Sequence, residues 1–309
     1  MLLVTHGGKF HCDEVVAYAV LRLALDLERD GVDHVLERTR DPDAIGRAAI
    51  VWDVGGRFDA EANRFDHHQR GAPVREDGTP FSAAGLVWRR HGTDAVRRAL
   101  PEAERDFAPE IATEIERTLI RRIDAIDNGI GDKGDGTGLA TLIGDMNPEW
   151  DSPDAEGKQA GDAAFARAAA LAEGVVRRRI AVLRARMAAE AAVLAAHRRA
   201  EDPRLLLLDR GMPWKHVVHS RELPVLLTVS PASNGNWMLD TVPPEPGSFE
   251  QKLPLPASWA GLPEDALRRE TGVADAVFCH LRRFVAAARS RDGALAMARL
   301  ALRNAAPTG

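Results

Sequence analysis

The chain has 309 residues, 45% of them hydrophobic and 28% charged, which describes an ordinary globular protein. This length exceeds the usual size of one hydrophobic core, so we expect two domains. The net charge of -5 argues against binding to nucleic acid through overall positive charge, but it is compatible with a local basic groove.

The number of cysteines and the length of the apolar runs bear on the cellular compartment of the protein. Only two cysteines, Cys12 and Cys279, are present, which excludes a disulfide scaffold and favours a reducing environment. The first residues have no signal-peptide pattern. No apolar run approaches the roughly 20 residues that span a bilayer. We therefore expect a cytoplasmic protein without membrane contact.

The N-terminal segment has the pattern of the first half of a β-α-β unit. Leu2-Leu3-Val4-Thr5 predicts a short buried strand, and Gly7-Gly8 predicts the loop that follows it. From Asp13 the apolar residues recur with helical spacing, at Val15, Val16, Ala19, Val20, Leu23 and Leu27. Further strands are predicted over residues 35–39 and 49–52. The fold class is therefore predicted to be α/β, with a parallel sheet and helices in the N-terminal domain.

Two polar residues stand directly after predicted strands. His6 follows the first strand and Asp53 follows the third. In open parallel sheets, ligands bind beyond the carboxyl ends of the strands. We therefore expect these two side chains to belong to one site.

The rest of the sequence predicts that the chain consists of two domains joined by a connecting helix. Helices are expected over residues 83–91, 93–100 and 107 to about 128, and near the end of the last one Asp124 and Asp127 are expected to share a face. An alanine-rich stretch from Asp162 to about Ala200 predicts a long connecting helix. Short strands and helices follow, as in a smaller α/β domain. The predicted division is an N-terminal domain of residues 1–160, a connector of residues 161–200 and a C-terminal domain of residues 201–309.

The connecting helix is rich in arginine, and two interpretations remain open. The basic residues are Arg177, Arg178, Arg179, Arg184, Arg186, Arg198 and Arg199. They form either a solvated helix face or a basic stripe that faces a chain of phosphates.

The segment Arg64-Phe65-Asp66-His67-His68-Gln69-Arg70 carries the strongest chemical signal. Two adjacent imidazoles are hard to satisfy together without a metal or an anion. With the residues at strand ends, the candidate groups are His6, His11, Asp13, Asp53, His67, His68 and Asp127. Carboxylates and imidazoles without thiolates suit Mn²⁺, Mg²⁺ or Zn²⁺, and several carboxylates favour Mn²⁺. Seven groups exceed the needs of one ion and favour a two-metal site, with Asp53 as the natural bridge.

Each residue alone has a simpler interpretation. Asp53 is also compatible with a helix or turn cap, and Asp127 before Asn128-Gly129 with a turn. Cys12 is either a small buried group or a thiolate activated by a helix N-terminus. The co-occurrence of these residues at strand ends is what favours a site.

Several long motifs resemble a known family. Asp66-His67-His68 with the spaced histidines and aspartates resembles the DHH phosphoesterase superfamily. More closely, the chain is similar to the melanocyte-proliferating-gene exonuclease family, also catalogued as metal-dependent protein hydrolases. The motifs that carry this resemblance in the N-terminal part are Thr5 to Glu14, Asp53-Val54-Gly55-Gly56, Arg64 to Arg70 and Asp124 to Ile130. In the C-terminal part they are Ser248-Phe249, Leu253-Pro254-Leu255-Pro256, Trp259-Ala260-Gly261-Leu262 and Asp292-Gly293-Ala294-Leu295.

The resemblance implies a DHH-type catalytic domain and a ligand set. It assigns His6 and His11 to one ion, Asp13, His67 and Asp127 to the other, and Asp53 to both. The ions would be two Mn²⁺ per site, with Mg²⁺ possible. In the wider superfamily an aspartate often stands at the position of His11, but the closer family shares the histidine.

The same resemblance implies roles for the substrate side. His68 would lie beside the substrate phosphate and, with Asp53, act in catalysis. The implied reaction is phosphodiester hydrolysis, specifically 3′→5′ trimming of RNA or short oligonucleotides. The C-terminal domain would bind the substrate, and an oligomer is compatible with the sequence.

One departure concerns the C-terminal domain. The family carries a glycine pair followed by histidine in a substrate-holding loop, where this chain has Phe284-Val285-Ala286-Ala287-Ala288-Arg289. Alanine resists backbone conformations that glycine allows. The groups expected to replace this loop in substrate binding are His280, Arg282, Arg283, Arg289 and Arg291.

Three functional hypotheses therefore stand side by side. The first is a two-metal phosphodiesterase acting on RNA. The second is a phosphatase of small molecules such as pyrophosphate, which would use the same metals. The third is a nucleic-acid-binding protein whose catalysis has decayed, which the lost glycines favour. Protein hydrolysis is a weaker fourth, because no protease motif is present.

Overall fold

The apolar segments of the sequence form two sheets, one in each part of the chain. The computed structural model describes residues 1–130, 137–151 and 157–303. Contacts divide the chain into two units, Met1–Arg184 and Ala185–Gly309. The predicted α/β class is confirmed. The three-part division at residues 160 and 200 stays a prediction.

The first unit begins with a β-α-β arrangement and continues with helices. Its elements are β1 (Leu2–Thr5), α1 (Cys12–Leu25), β2 (Val35–Arg38), α2 (Pro42–Arg47), β3 (Ile50–Trp52), β4 (Phe58–Asp59), β5 (Arg64–Phe65), α3 (Ala83–Ala99), a 3-10 helix (Glu102–Phe107), α4 (Ala108–Ile115), a π-helix (Glu116–Ile120), α5 (Arg121–Asp127), α6 (Leu139–Gly144) and the first part of α7 (Lys158–Arg198).

The first sheet has the strand order β2-β1-β3-β5-β4. All neighbours are parallel except β4 and β5. The interior strands β1 and β3 are continuous apolar runs, as expected for strands that are covered on both faces. The indole Nε1 of Trp52 donates to the carbonyl of Glu14 at 2.9 Å, which fixes the start of α1 against β3.

The start of α1 is held by its own first turn. Both carboxylate oxygens of Glu14 accept from the backbone N–H of His11 at 2.9 Å. This is one half of a capping box, which satisfies an N–H that the helix leaves free. The contact brings Glu14, Asp13 and His11 to the end of α1 that lies beyond β1.

The predicted single helix before residue 128 is instead interrupted. A π-helix at Glu116–Ile120 separates α4 from α5. A π turn contains an additional residue, so it rotates every position that follows relative to a regular α-helix. The faces of α5 therefore cannot be counted from α4.

Several arginines of α7 have partners on the protein. Arg177 pairs with Glu173, Arg184 with Glu104, and Arg179 donates to the Thr118 hydroxyl. For these three arginines the contacts fit a solvated helix face with ion pairs, rather than a basic stripe that is free to face phosphates. Among the described residues, no helix combines the length and the hydropathy that crossing a bilayer requires.

The second unit has its own sheet, with the strand order β6-β7-β8-β10-β9. Its elements after α7 are β6 (Leu205–Leu207), α8 (Lys215–Ser220), β7 (Leu227–Pro231), β8 (Trp237–Thr241), a 3-10 helix (Ala257–Trp259), α9 (Glu264–Thr271), β9 (Ala276–Cys279), β10 (Val285–Ala288) and α10 (Arg291–Arg303). Only β6 and β7 are parallel. The alanine segment that departs from the family's substrate loop lies in β10, and its three alanines are fully buried between β8 and β9.

Candidate metal centre

The carboxyl ends of β1, β3 and β5 bring the polar motifs of the first unit to one sheet edge. His6 follows β1, Asp53 follows β3, and Asp66-His67-His68 follows β5. Because these strands are parallel neighbours, the residues after them lie side by side. The order of strands, rather than closeness in sequence, assembles the cluster.

Asp53 lies at the centre of this cluster. Its Oδ2 is 3.2 Å from Nε2 of His6, and its Oδ1 is 3.1 Å from Nε2 of His67. The two oxygens of one carboxylate thus face two different imidazoles. The backbone of Asp53 is left-handed, with φ of 55°, a conformation that is uncommon outside glycine and that turns the chain sharply at the strand end.

One donor group lies on the Oδ2 side of Asp53. Potential ligand atoms of His6, His11 and Glu14 lie within 4.8 Å of one another. Nε2 of His6 is 2.8 Å from Oε1 of Glu14, while Nδ1 of His6 donates to the carbonyl of Gly7 at 3.1 Å. The hydrogen bond from Nδ1 leaves Nε2 as the nitrogen that faces the carboxylates.

Glu14 belongs to this cluster, although the sequence pattern does not single it out as a candidate ligand. Its signal in the sequence is its position directly after Asp13 in the first turn of α1. An acidic residue there also stabilises a helix N-terminus, and that role needs no metal. Only the direction of the Glu14 side chain distinguishes stabilisation of the helix N-terminus from membership in the metal-ligand group.

A second donor group lies on the Oδ1 side of Asp53. Nε2 of His67 is 3.7 Å from Oδ2 of Asp13 and 3.5 Å from Oδ2 of Asp127. The backbone N–H of Ala83 donates to Oδ2 of Asp13 at 3.2 Å. The buried Oδ1 of Asp13 has no hydrogen-bond partner among the described residues. A buried carboxylate oxygen without a partner is costly unless a further group binds it.

The electrostatics of the cluster are those of crowded carboxylates. Burial raises the pKa of Asp13, and the charges of Asp53 and Glu14 raise it further. Burial also raises the pKa of Asp127. Burial would lower the pKa of His6, but its hydrogen bonds to Asp53 and Glu14 outweigh this effect and raise it to about 10. Negative charge therefore exceeds what the imidazoles compensate.

The donor set fits divalent cations. In the part of the chain that the structure describes, no lysine or arginine forms an ion pair with Asp13, Glu14, Asp53 or Asp127, whose ion-pair partners are all histidines. Carboxylate oxygens and imidazole nitrogens without a thiolate suit Mn²⁺, Mg²⁺ or Zn²⁺. A cation is the counter-charge that this arrangement lacks.

Asp66 holds the two adjacent histidines in place. Its Oδ1 accepts from the backbone N–H groups of His67 and His68, at 2.8 and 3.2 Å, and from Nδ1 of His68 at 2.8 Å. Its Oδ2 accepts from the backbone N–H of Gly56. The ring of His67 points to Asp53, whereas the side chain of His68 is 63% exposed. His68 therefore lies at the exposed rim of the cluster, with its Nδ1 3.6 Å from Oδ1 of Asp53.

Asp124 has a different role from that of its neighbour Asp127. It is fully buried, and its Oδ1 accepts from the backbone N–H groups of Ser82 and Gly85 and from the Ser82 hydroxyl. Arg75 completes its contacts. Asp124 thus satisfies the free N–H groups at the start of α3 and anchors α5 to that helix. Asp127, one turn later, remains at the cluster.

The thiol of Cys12 lies next to the cluster but is not activated. Cys12 is buried in the first turn of α1. Burial raises the pKa of this thiol, and the charges of Asp13 and Glu14 raise it further. A nucleophilic thiolate needs a lowered pKa. The structure favours the interpretation of Cys12 as a small buried side chain.

The five residues expected to bind substrate do not lie together in the second unit. His280 and Arg282 line one cleft. Arg283 donates to the carbonyl of Leu255, Arg289 pairs with Glu264, and Arg291 lines a different depression at the start of α10. Their role in substrate binding stays a prediction.

Comparison with known proteins identifies the family. The family model MYG1_exonuc, described as "Uncharacterised protein family (UPF0160)", matches residues 2–302. MYG1 exonuclease of Homo sapiens is 34% identical over 328 residues, covering 96% of this chain and 85% of that protein. MYG1 protein C27H6.8 of Caenorhabditis elegans is 31% identical, covering 97% of this chain and 95% of that protein.

A solved structure is more distantly similar. It is the crystal structure of RecJ in complex with Mn²⁺ from Thermus thermophilus, which covers 99% of this chain at 15% identity and a TM-score of 0.28. The present chain spans 53% of the RecJ chain. That likeness is too low to carry a conclusion about the site. The family model and the relatives confirm the family resemblance found in the sequence: the chain belongs to the MYG1 exonuclease family.

Proposed function

We propose that this chain is a metal-dependent phosphodiesterase that trims RNA or short oligonucleotides in the 3′→5′ direction with two divalent cations. Mn²⁺ is the first candidate and Mg²⁺ the second. In this proposal residues 1–160 carry the chemistry, residues 161–200 connect, and residues 201–309 bind the substrate. The relatives named exonucleases support a nucleic acid as the substrate class.

The observation that carries the proposal is the position of Asp53 between two donor groups. One group is His6, His11 and Glu14, and the other is Asp13, His67 and Asp127. The two oxygens of Asp53 face one group each. A carboxylate placed in this way can hold two cations at once, and no single cation needs seven ligands of this kind.

The cations, when bound, supply the activation of water near neutral pH and the neutralisation of charge on the phosphoryl group. The protein supplies the remaining parts. Asp66 fixes the orientation of His67 and His68 through its hydrogen bonds. Because Nδ1 of His68 donates to Asp66, Nε2 is the nitrogen left to meet a substrate phosphate or to hold a proton at the leaving oxygen.

The experiment that tests the proposal incubates end-labelled RNA with the purified chain and Mn²⁺. Wild type should release mononucleotides, EDTA should stop the release, and Asp53→Asn should lose it. Labels at the 5′ and 3′ ends in separate reactions show the polarity. Matched DNA and pyrophosphate reactions distinguish an RNA substrate from DNA or from a small phosphoester. RNA that is bound but never cleaved by wild type would refute the proposal.

A further inference from the structure

The second unit contains a cleft of about 1000 Å³, and two of the residues expected to bind substrate, His280 and Arg282, line it. It lies at the end of β8, beside the β9–β10 turn and α8. We call it the C-terminal cleft and define it by six of its lining residues, which are Trp214, Lys215, Asp240, Phe249, Arg282 and Phe284. Its volume is within the range of sites for small ligands.

Aromatic rings in the C-terminal cleft are left open to solvent. Phe249 is 84% exposed and Phe284 is 38% exposed. The guanidinium carbon of Arg282 lies 5.8 Å from the ring centroid of Phe249, which is the distance of a cation-π contact. Large exposed aromatic side chains next to a cation are typical of surfaces that stack nucleobases.

The loop that carries Phe249 is tied to the sheet. Gln251 donates through Nε2 to the carbonyl of Phe249 at 2.6 Å and accepts through Oε1 from the hydroxyl of Thr241 at 2.5 Å. Thr241 is the last residue of β8. The exposed ring therefore stands on a supported loop rather than on a free one.

Cations that form no ion pair line the same cleft. Arg186, Lys215 and Arg282 form no ion pair with any residue that the structure describes. Unpaired arginine and lysine side chains in a concave surface bind anions, and phosphate suits both. The cleft therefore combines stacking surfaces with phosphate-binding groups.

Asp240 is the acidic residue that lines the cleft, and its carboxylate is unused. No described residue donates a hydrogen bond to it. Burial raises the pKa of Asp240, and the charge of Lys215 opposes this. A half-buried carboxylate among phosphate-binding groups does not serve the phosphate. A carboxylate accepts hydrogen bonds from N–H donors, which nucleobases present on their pairing edges.

We propose that the C-terminal cleft binds one nucleotide, with the base stacked on Phe249, the phosphate on Arg282 and Lys215, and the pairing edge of the base on Asp240. A carboxylate accepts two parallel hydrogen bonds from the adjacent N–H donors of guanine. Adenine and cytosine offer one amino group, and uracil flanks its single N–H with two carbonyls. Guanine is therefore the preferred base and uracil the least preferred.

This proposal rests on the proposed function in one respect: that the bound nucleotide is part of a substrate strand. Binding itself is tested without catalysis. Isothermal titration calorimetry on the full chain in EDTA should show binding of GMP, AMP, CMP and UMP, with GMP tightest and UMP weakest. Equal affinity for all four, or binding of none, would overturn it.

Variants separate stacking from base recognition. Phe249→Ala should weaken all four nucleotides by roughly tenfold, since one stacked base is lost. Asp240→Asn should weaken GMP by roughly tenfold and leave AMP nearly unchanged. The matched control is Leu281→Ala, which removes another exposed apolar side chain of this unit and should change nothing. A GMP affinity that is unaltered in Phe249→Ala and Asp240→Asn would contradict the proposal.

A comparison of guanosine with GMP tests the contact between Arg282 and the phosphate. Guanosine should bind wild type more weakly than GMP, and Arg282→Ala should remove this difference. Arg269→Ala, an exposed arginine of α9 outside the cleft, should preserve it. Loss of the difference in both variants, or in neither, would refute the assignment of the phosphate to Arg282.

The last comparison separates the cleft from the metal centre and a strand from a free nucleotide. Asp53→Asn should bind GMP as wild type does, so that failure of hydrolysis and failure of the cleft are distinguishable. A pentanucleotide ending in guanine that binds at least as tightly as GMP identifies a strand contact. A pentanucleotide that is excluded while GMP binds identifies a site for the mononucleotide. GMP binding lost in Asp53→Asn would overturn the site.

Discussion

Oδ1 of Asp53 lies 3.1 Å from Nε2 of His67, although the two residues follow different strands of the sheet. The contact exists because β3 and β5 are parallel neighbours and because Asp53 leaves β3 with a left-handed backbone. Asp53 is thereby held between imidazoles on both sides.

Asp53→Asn and Asp53→Ala should differ in stability but not in activity. Both variants remove the charge that joins the two donor groups, so both should lose metal-dependent hydrolysis. Asparagine tolerates the left-handed backbone better than alanine does. Asp53→Ala should therefore be about 1 kcal/mol less stable than Asp53→Asn in urea unfolding. Equal stability would show that the backbone conformation carries no cost at this position.

Asp66→Ala should impair the site without removing a donor of either group. The variant frees the rings of His67 and His68, because Asp66 accepts from both backbone N–H groups and from Nδ1 of His68. Residues that orient ligands in this way typically contribute 10–100-fold to metal affinity or activity, so we expect a loss of about that size. Metal titration and turnover measure it, with the exposed Glu61→Gln as control. An Asp66→Ala variant with wild-type metal affinity and turnover would contradict the positioning role.

Gly85→Ala should displace the helix that carries Asp127. A Cβ at Gly85 would overlap the carboxylate of Asp124, which anchors α5 to α3. We expect destabilisation of about 1–3 kcal/mol together with reduced turnover. Gly46→Ala in α2 is the matched control, because a Cβ there meets open space and should leave both properties unchanged or raise stability slightly. Destabilisation of the same size in both variants would refute the specific role of Asp124.

Divalent metal should stabilise the fold. Burial and mutual repulsion raise the pKa of Asp13, which reflects a cost that a bound cation relieves. At a free metal concentration about 100 times the Kd, binding contributes about 2.7 kcal/mol. Scanning calorimetry should therefore show a higher Tm with Mn²⁺ than with EDTA, and Asp53→Asn should lose most of this shift. A Tm that does not respond to Mn²⁺ in wild type would count against a metal centre.

His91 should make the fold sensitive to acid. This histidine is buried against Phe65, its Nε2 has no partner among the described residues, and burial lowers its pKa. The unfolded chain then binds a proton at a higher pH than the folded chain does. Stability should fall as the pH drops from about 6.5 towards the lowered pKa of the folded state, and level off below it.

The control for this pH effect is His91→Leu, which cannot titrate. Urea unfolding of wild type and variant between pH 8 and pH 5 measures the two slopes. The variant should lose less stability over this range than wild type does. Parallel slopes would show that other groups cause the acid sensitivity.

Strand ends were the predictable part of the site. The run Leu2 to Thr5 is too apolar and too short for anything but a buried strand, and the segment before Asp53 has the same character. Parallel pairing then brings the residues after these strands to one edge, so the meeting of His6 and Asp53 follows from the pattern alone.

The residues that escaped prediction depend on tertiary contacts. Glu14 has a sufficient local explanation as the acidic first turn of α1, and only its distance to His6 places it among the potential metal ligands. Asp124 and Asp127 are three positions apart and were expected to share a face. The backbone N–H groups of Ser82 and Gly85 instead hold Asp124 at the start of α3. No spacing in α5 encodes that contact.

The C-terminal segment of alanines also differs from expectation. The family resemblance places a substrate-holding loop of its relatives at this position, whereas Ala286, Ala287 and Ala288 are the last three residues of β10. Alanine has a low intrinsic preference for strands, so local propensity does not indicate one here. The small side chains fit because the strand is buried between two others.

Anomalous diffraction from crystals grown with Mn²⁺ tests the central claim most directly. We expect two manganese peaks, one among His6, His11 and Glu14 and one among Asp13, His67 and Asp127, with Asp53 as a ligand of both. Peaks that lie elsewhere, or a single ion that leaves Asp53 without a metal bond, would contradict the account.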